Sequence, residues 1–158
     1  MHRFALTATT LVAAISFGVL PSGATSAYAI GPQSAQQQID AALAAVPGGT
    51  QTGPNSVSWF DGEMTMIVPS GSATTLSVGS CATGSYCAYS STNLTGTKLV
   101  WTSCGTYSTA AITVRSMANA TSSDTVRGKN ASGTTLVTLD PSERANTIPV
   151  GITQVVCS

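Results

Sequence analysis

The sequence predicts a mainly β fold, a small domain stapled by disulfides and built from two hairpin-centred halves, suggesting a pair of Greek-key units packed as a sandwich. Three observations predict it. Segment 81–105 holds three of the four cysteines. Within it Tyr89, Leu94 and Gly96 follow an aromatic-x4-Leu-x-Gly spacing, which reads as a hairpin folded back on itself. Tyr89 ends one strand, Leu94 tucks under it, and Gly96 takes a backbone conformation that a Cβ would oppose. A second, weaker strand–turn–strand pattern runs over 125–139, with Gly133 as its candidate turn glycine.

Taken in order, residues 1–29 read as a signal peptide. Arg3 supplies the positive start, 11–20 form an apolar run too short to span a bilayer comfortably, and Ala27-Tyr28-Ala29 gives a small-x-small cleavage site. The mature chain then starts near Ile30, secreted and extracellular. No later run is long enough to span a membrane, so no membrane contact is expected after signal removal. Residues 30–75 read as an N-terminal helix and hairpin extension. Ser34 caps a helix reaching Val46, with Gln37 in the return position of a capping box. Ile39, Ala42, Leu43 and Val46 share one helical face, and Pro47-Gly48-Gly49 stops the helix. Asp61-Gly62 then reads as a two-residue hairpin turn between β-prone arms, with Trp59, Met64 and Met66 as core residues. Residues 69–80 read as a linker or long loop. Residues 76–158 form the disulfide-stapled β domain. Its strands include 98–102, the two arms of the 125–139 pattern and 152–156, where apolar and polar residues alternate. A core of that size is small, so the disulfides matter to stability.

Four cysteines behind a signal peptide read as two disulfides rather than a metal site. Cys81 with Cys87, and Cys104 with Cys157, is the favoured pairing among three possible connectivities. The only histidine, His2, leaves with the signal, so neither a Ser-His-Asp nor a Cys-His site can be built. With every cysteine paired no thiol nucleophile remains. The acid pairs Asp61/Glu63 and Asp140/Glu143 read as solvated turn residues rather than a glycosidase dyad. Six acids and six bases leave no net charge and no basic patch, which disfavours nucleic acid. No catalytic residue, metal or cofactor is expected, and the residue-level conclusion is a binding, inhibitory or structural role.

Cys81-x5-Cys87-Ala-Tyr89-x4-Leu94-x-Gly96, the following Leu99-Val-Trp101 and Cys104-Gly-Thr-Tyr107 resemble the secreted actinobacterial peptidase-inhibitor family typified by the Streptomyces metalloproteinase inhibitor. Pro47-Gly-Gly and Trp59-Phe-Asp-Gly62 resemble N-terminal extensions of its longer members. The resemblance implies a βγ-crystallin-like double Greek-key sandwich that occludes an extracellular protease with a rigid exposed loop. Such an inhibitor needs no catalytic group. It needs a loop already held in shape, so that little ordering entropy is lost on binding.

The crystallin pattern also implies where calcium would sit. The two possible registers fall on Ala111-Ile112 with Arg115-Ser116, and on Ala118-Asn119 with Ser122-Ser123. The first lacks the acidic and amide oxygens that calcium needs, and the second keeps only part of that set. Ser116 is left with a structural role, hydrogen-bonding over the hairpin. No reactive bond carries over, because the prototype's loop is braced by a close cysteine pair in the second half and only Cys157 lies there. Candidate inhibitory loops are Ser103, Cys104, Gly105, Thr106 and Tyr107, and the 140–150 connection before Cys157. A monomeric peptidase inhibitor is the leading expectation. A non-inhibitory structural or surface-recognition module and a small antimicrobial toxin are the alternatives.

Overall fold

The computed structural model describes residues 33–70 and 81–158. The expected signal peptide, residues 1–29, and most of the expected 69–80 linker lie outside the described residues. Helix α1 (Ala35–Ala45) starts where the sequence places it. Ser34 Oγ accepts from the Gln37 amide and the Gln37 side chain accepts from the Ser34 amide, closing the capping box. Ile39 and Ala42 on its inner face are fully buried. No helix among the described residues is long and apolar enough to cross a membrane.

The strands are β1 (Thr50–Gly53), β2 (Ser56–Trp59), β3 (Met64–Ile67), β4 (Tyr86–Ser91), β5 (Thr95–Trp101), β6 (Thr106–Ser108), β7 (Ser116–Asn119), β8 (Val126–Lys129), β9 (Thr135–Leu139), β10 (Arg144–Ala145) and β11 (Gln154–Cys157). They form two antiparallel sheets, one ordered β1-β2-β3-β5-β4-β7-β10 and the other β6-β11-β8-β9. From β4 onward the chain makes two successive four-strand units. In each, the third strand crosses to the sheet of the other unit: β6 joins β11, and β10 joins β7.

The main core joins the helix and both sheets. Ile39 and Ala42 of the helix, Val57, Trp59, Met64 and Met66 of the extension, Leu99, Trp101 and Met117 of the large sheet, and Val126, Leu139 and Val155 of the small sheet form a single buried cluster. β1 to β3 are therefore an integral part of the sheet and its core. β3 pairs with β5 from Met64↔Trp101 to Ile67↔Lys98. Pro47-Gly48-Gly49 does more than stop α1. The Trp59 indole N–H donates to Val46 O at 2.8 Å, and a Cβ on Gly49 would overlap that indole. The two sequence motifs of the extension are thus halves of one contact.

The β2–β3 connection corrects the two-residue turn expected at Asp61-Gly62. Trp59 pairs with Met64, which leaves four loop residues, 60–63, containing a single 3-10 turn over Phe60–Gly62. The reason is a competing partner. Glu63 N–H donates to Phe60 O at 3.0 Å, but Glu63 O accepts from Thr102 N–H at 3.0 Å instead of closing a narrow pair with Phe60. Strand β1 was not expected; its TQTG sequence carries no apolar alternation, and it is exposed along most of its length.

Candidate functional site

The register of the large sheet brings several connections to one end. Trp59, Met64, Trp101 and Tyr86 are successive cross-strand neighbours there. Loop 60–63 and the segment leaving β5 at Thr102 therefore emerge side by side. The second carries the candidate residues Ser103 to Tyr107. Cys104 and Thr106 are exposed, Ser103 and Gly105 are half-buried, and Tyr107 is buried. Tyr107 thus serves the core rather than a partner.

This segment is held from every side. Cys104 is bridged to Cys157, with Cα atoms 4.8 Å apart. Cys157 N–H donates to Gly105 O at 2.9 Å. Tyr86 Oη donates to Ser103 O at 2.9 Å, and the Ser103 and Tyr107 hydroxyls lie 3.0 Å apart. Tyr107 Oη donates to Glu63 Oε2 at 3.2 Å, which ties the segment to loop 60–63. Burial raises the Tyr86 phenol above its ordinary value, with Tyr107 and Glu63 nearby adding to the shift. Tyr86 therefore stays protonated, and a hydrogen-bond donor, at neutral pH.

Loop 60–63 is strained. Phe60, Asp61 and Gly62 have φ of 52°, 51° and 99°, three consecutive left-handed residues of which two carry a Cβ. Each such residue costs about 1–2 kcal/mol. Phe60 is 54% exposed. Its ring sits 5.7 Å from that of Tyr107, at a tilt. Tyr107 is 6.3 Å from Trp101, and Trp101 stacks on Tyr86 at 5.3 Å. An aromatic row thus runs from the surface at Phe60 into the core. Sequence reading passed over Phe60, although an aromatic beside an Asp-Gly turn was the available signal.

The hairpin residues lie together as the spacing requires. Asn93 and Leu94 both have φ of 58° and Gly96 has φ of 82°. Between Tyr89↔Lys98 and Ser91↔Thr95 the register slips by one residue, a bulge on the β5 side at Gly96. Leu94 packs with Cys87, Tyr89 and Ala118 in a small second cluster on the outer face of the large sheet. Ser116 is fully buried. Its Oγ accepts from Leu94 N–H at 3.0 Å and donates to Ser91 O at 2.6 Å, pinning the turn onto the sheet. Cys81 is bridged to Cys87, with Cα atoms 5.8 Å apart, beside this cluster.

The remaining candidates are bound up in structure. In the 140–150 connection, Asn146 O accepts from Asn93 N–H at 2.7 Å, Ile148 N–H donates to Arg115 O at 2.8 Å, and Ile148 is buried. Asn119, from one calcium register, gives its amide hydrogens to the carbonyls of Asp124, Leu139 and Asp140 and accepts from Thr121. Its carboxamide is fully used inside the protein. Cys104, Asp124 and Cys157 lie close enough to suggest a metal cluster, but both sulfurs are in a disulfide. A cavity of about 310 Å³ between α1 and segment 110–113 is lined by residues such as Gln38, Met66, Thr97 and Ile112, with no titratable side chain among them.

These features define a class: a disulfide-bonded β protein whose prominent surface elements, among the described residues, are braced connections. The model of peptidase inhibitor family I36 matches residues 75–133, the stretch that carries β4 to β8 and the folded hairpin. Over that stretch the chain is similar to the I36 inhibitors, the family to which the resemblance of the cysteine and hairpin pattern points. No curated protein and no solved structure matches the chain. The matched family is one of peptidase inhibitors.

Proposed function

We propose that the protein is exported, processed near Ile30, and acts outside the cell as a monomeric inhibitor of a metallopeptidase by loop occlusion. The observation that carries this reading is the 102–107 segment. It lies within the family match, exposes Cys104 and Thr106, and is braced by a disulfide, by a hydrogen bond from Tyr86 and by one between the Ser103 and Tyr107 hydroxyls. A loop ordered before binding loses little entropy on docking. The strand exchange of β6 and β10 between sheets, and the hairpin pinned by Ser116, support a βγ-crystallin-like double Greek key as the scaffold. In this reading 30–75 is an extension whose strands are added to that domain.

The test is an inhibition screen of the mature, oxidised protein against thermolysin-like and serine peptidases, with substitutions at Ser103 and Thr106. Inhibition at micromolar concentration or below, weakened by those substitutions, is expected. A folded protein that inhibits none of them would defeat the reading and leave a non-inhibitory recognition module in its place.

A further inference from the structure

We infer that Phe60 is the side chain that enters the apolar side-chain pocket of the target peptidase, so that the inhibitory surface has two parts, loop 60–63 beside segment 102–107. This inference rests on the inhibitor reading above and adds the residue that fills the enzyme's specificity pocket.

Four observations converge on Phe60. First, it is one of two large apolar side chains left exposed among the described residues, the other being Val150. Buried aromatic anchors dominate protein interfaces, whereas valine is under-represented among their energetic centres. Second, Phe60 and Asp61 hold left-handed backbone. Selection for stability alone favours Gly or Asn at such a position. A bulky aromatic kept there marks a site where presentation outweighs strain.

Third, the loop is rigid where it needs to be. It is flanked by Trp59 and Met64, both almost fully buried. Glu63 is fixed through its carbonyl to Thr102 and through its carboxylate to Tyr107. Only Phe60, Asp61 and Gly62 are free to meet a partner, and a Cβ on Gly62 would meet nothing within 4 Å. The Phe60 ring rests at a tilt on Tyr107, which limits its freedom without covering it. Fourth, loop 60–63 abuts the segment already proposed as the contact. The two are one surface, joined by Glu63 to Thr102 and Tyr107.

The partner chemistry follows. An aromatic on a projecting hairpin loop fits a concave pocket lined by apolar side chains, the kind that endopeptidases with a preference for large hydrophobic residues possess. Asp61 and Glu63 flank it, so the pocket should be entered past a rim of neutral or positive potential.

The experiment compares wild type, Phe60→Gly and Phe60→Leu, measuring the inhibition constant against a thermolysin-like peptidase and thermal stability in parallel. Glycine suits the left-handed backbone, so Phe60→Gly should melt at or above the wild-type temperature. It should weaken inhibition by about 30-fold or more, the factor expected of an aromatic interface centre. Phe60→Leu should keep most of the inhibition. If wild type inhibits and Phe60→Gly inhibits equally, Phe60 is no anchor, while the inhibitor reading stands. If Phe60→Gly loses inhibition only together with a lower melting temperature, Phe60 is a packing residue on Tyr107 and the inference fails. If wild type inhibits nothing, the inhibitor reading falls and takes this one with it.

Discussion

Gly96 and Gly133 offer a matched pair for measuring what the folded hairpin demands. Both have φ of 82°. Around Gly133 a Cβ would meet nothing within 4 Å. At Gly96 it would overlap Ser90 Oγ and stand 2.8 Å from Ser91 Oγ and 3.2 Å from Ser91 N. Gly133→Ala should therefore show the backbone effect alone, about 1–2 kcal/mol. Gly96→Ala adds crowding of about 1 kcal/mol at the low end for overpacking. It also displaces Ser90 Oγ, which accepts from Thr97 N–H at 2.8 Å, a bond with a net contribution of about 1 kcal/mol. The sum at Gly96 is about 3–4 kcal/mol, and Gly96→Val should cost at least as much. Equilibrium denaturation of the oxidised mature protein, read from midpoints at unchanged slope, gives both numbers. If the two alanine variants agree within about 0.5 kcal/mol, the ordinary limit of additivity for unrelated sites, the crowding argument is wrong.

Ser116→Ala should cost about 1–3 kcal/mol, because Leu94 N–H and Ser91 O both lose their buried partner; faster hydrogen exchange at the Leu94 amide is the local readout. Tyr89 Oη is buried without a hydrogen-bond partner among the described residues, so Tyr89→Phe should leave stability unchanged or raise it slightly. A clear loss in denaturant midpoint would reveal a partner for that hydroxyl. The Cys104–Cys157 bridge spans 53 residues and Cys81–Cys87 spans 6; replacing each pair by serine should cost about 4 and about 2 kcal/mol respectively in the loop-entropy account, and the reverse order would refute that account here. Burial raises the phenols of Tyr86 and Tyr89 from an ordinary value of 10.0. Their contribution to stability is therefore whole below about pH 10, and declines above it as the unfolded chain releases protons that the folded chain keeps. Phenolate absorbance of Tyr86 and Tyr89 rising while native circular dichroism persists would contradict this.

Local sequence signals carried much of the fold. The capping box of Ser34 and Gln37, the Tyr89-Leu94-Gly96 spacing and the Gly133 turn depend on neighbours in the chain, and each lies where the sequence places it. What was not legible depends on contacts between distant segments. The 60–63 loop widens because Thr102, far along the chain, takes the Glu63 carbonyl. β1 has no apolar pattern of its own and exists by pairing with β2. Tyr107 looks like part of an exposed loop until Trp101 and Glu63 are seen to hold it. Phe60 escaped notice for the same reason: its exposure follows from the inward turn of both Trp59 and Met64, a fact of packing.

The pairing of β3 with β5 has a consequence for the protein's behaviour in crowded solution. A domain beginning at β4 would present β5 as a free border, with a row of amides and carbonyls along Thr-Lys-Leu-Val-Trp ready to take up a strand from another molecule. The extension moves that border outward to β1, four residues long, mostly exposed and polar, and followed by Pro54. A short polar edge beside a proline is a poor template for intermolecular strand addition. Removal of residues 33–70 should therefore produce aggregates before it produces a smaller folded domain.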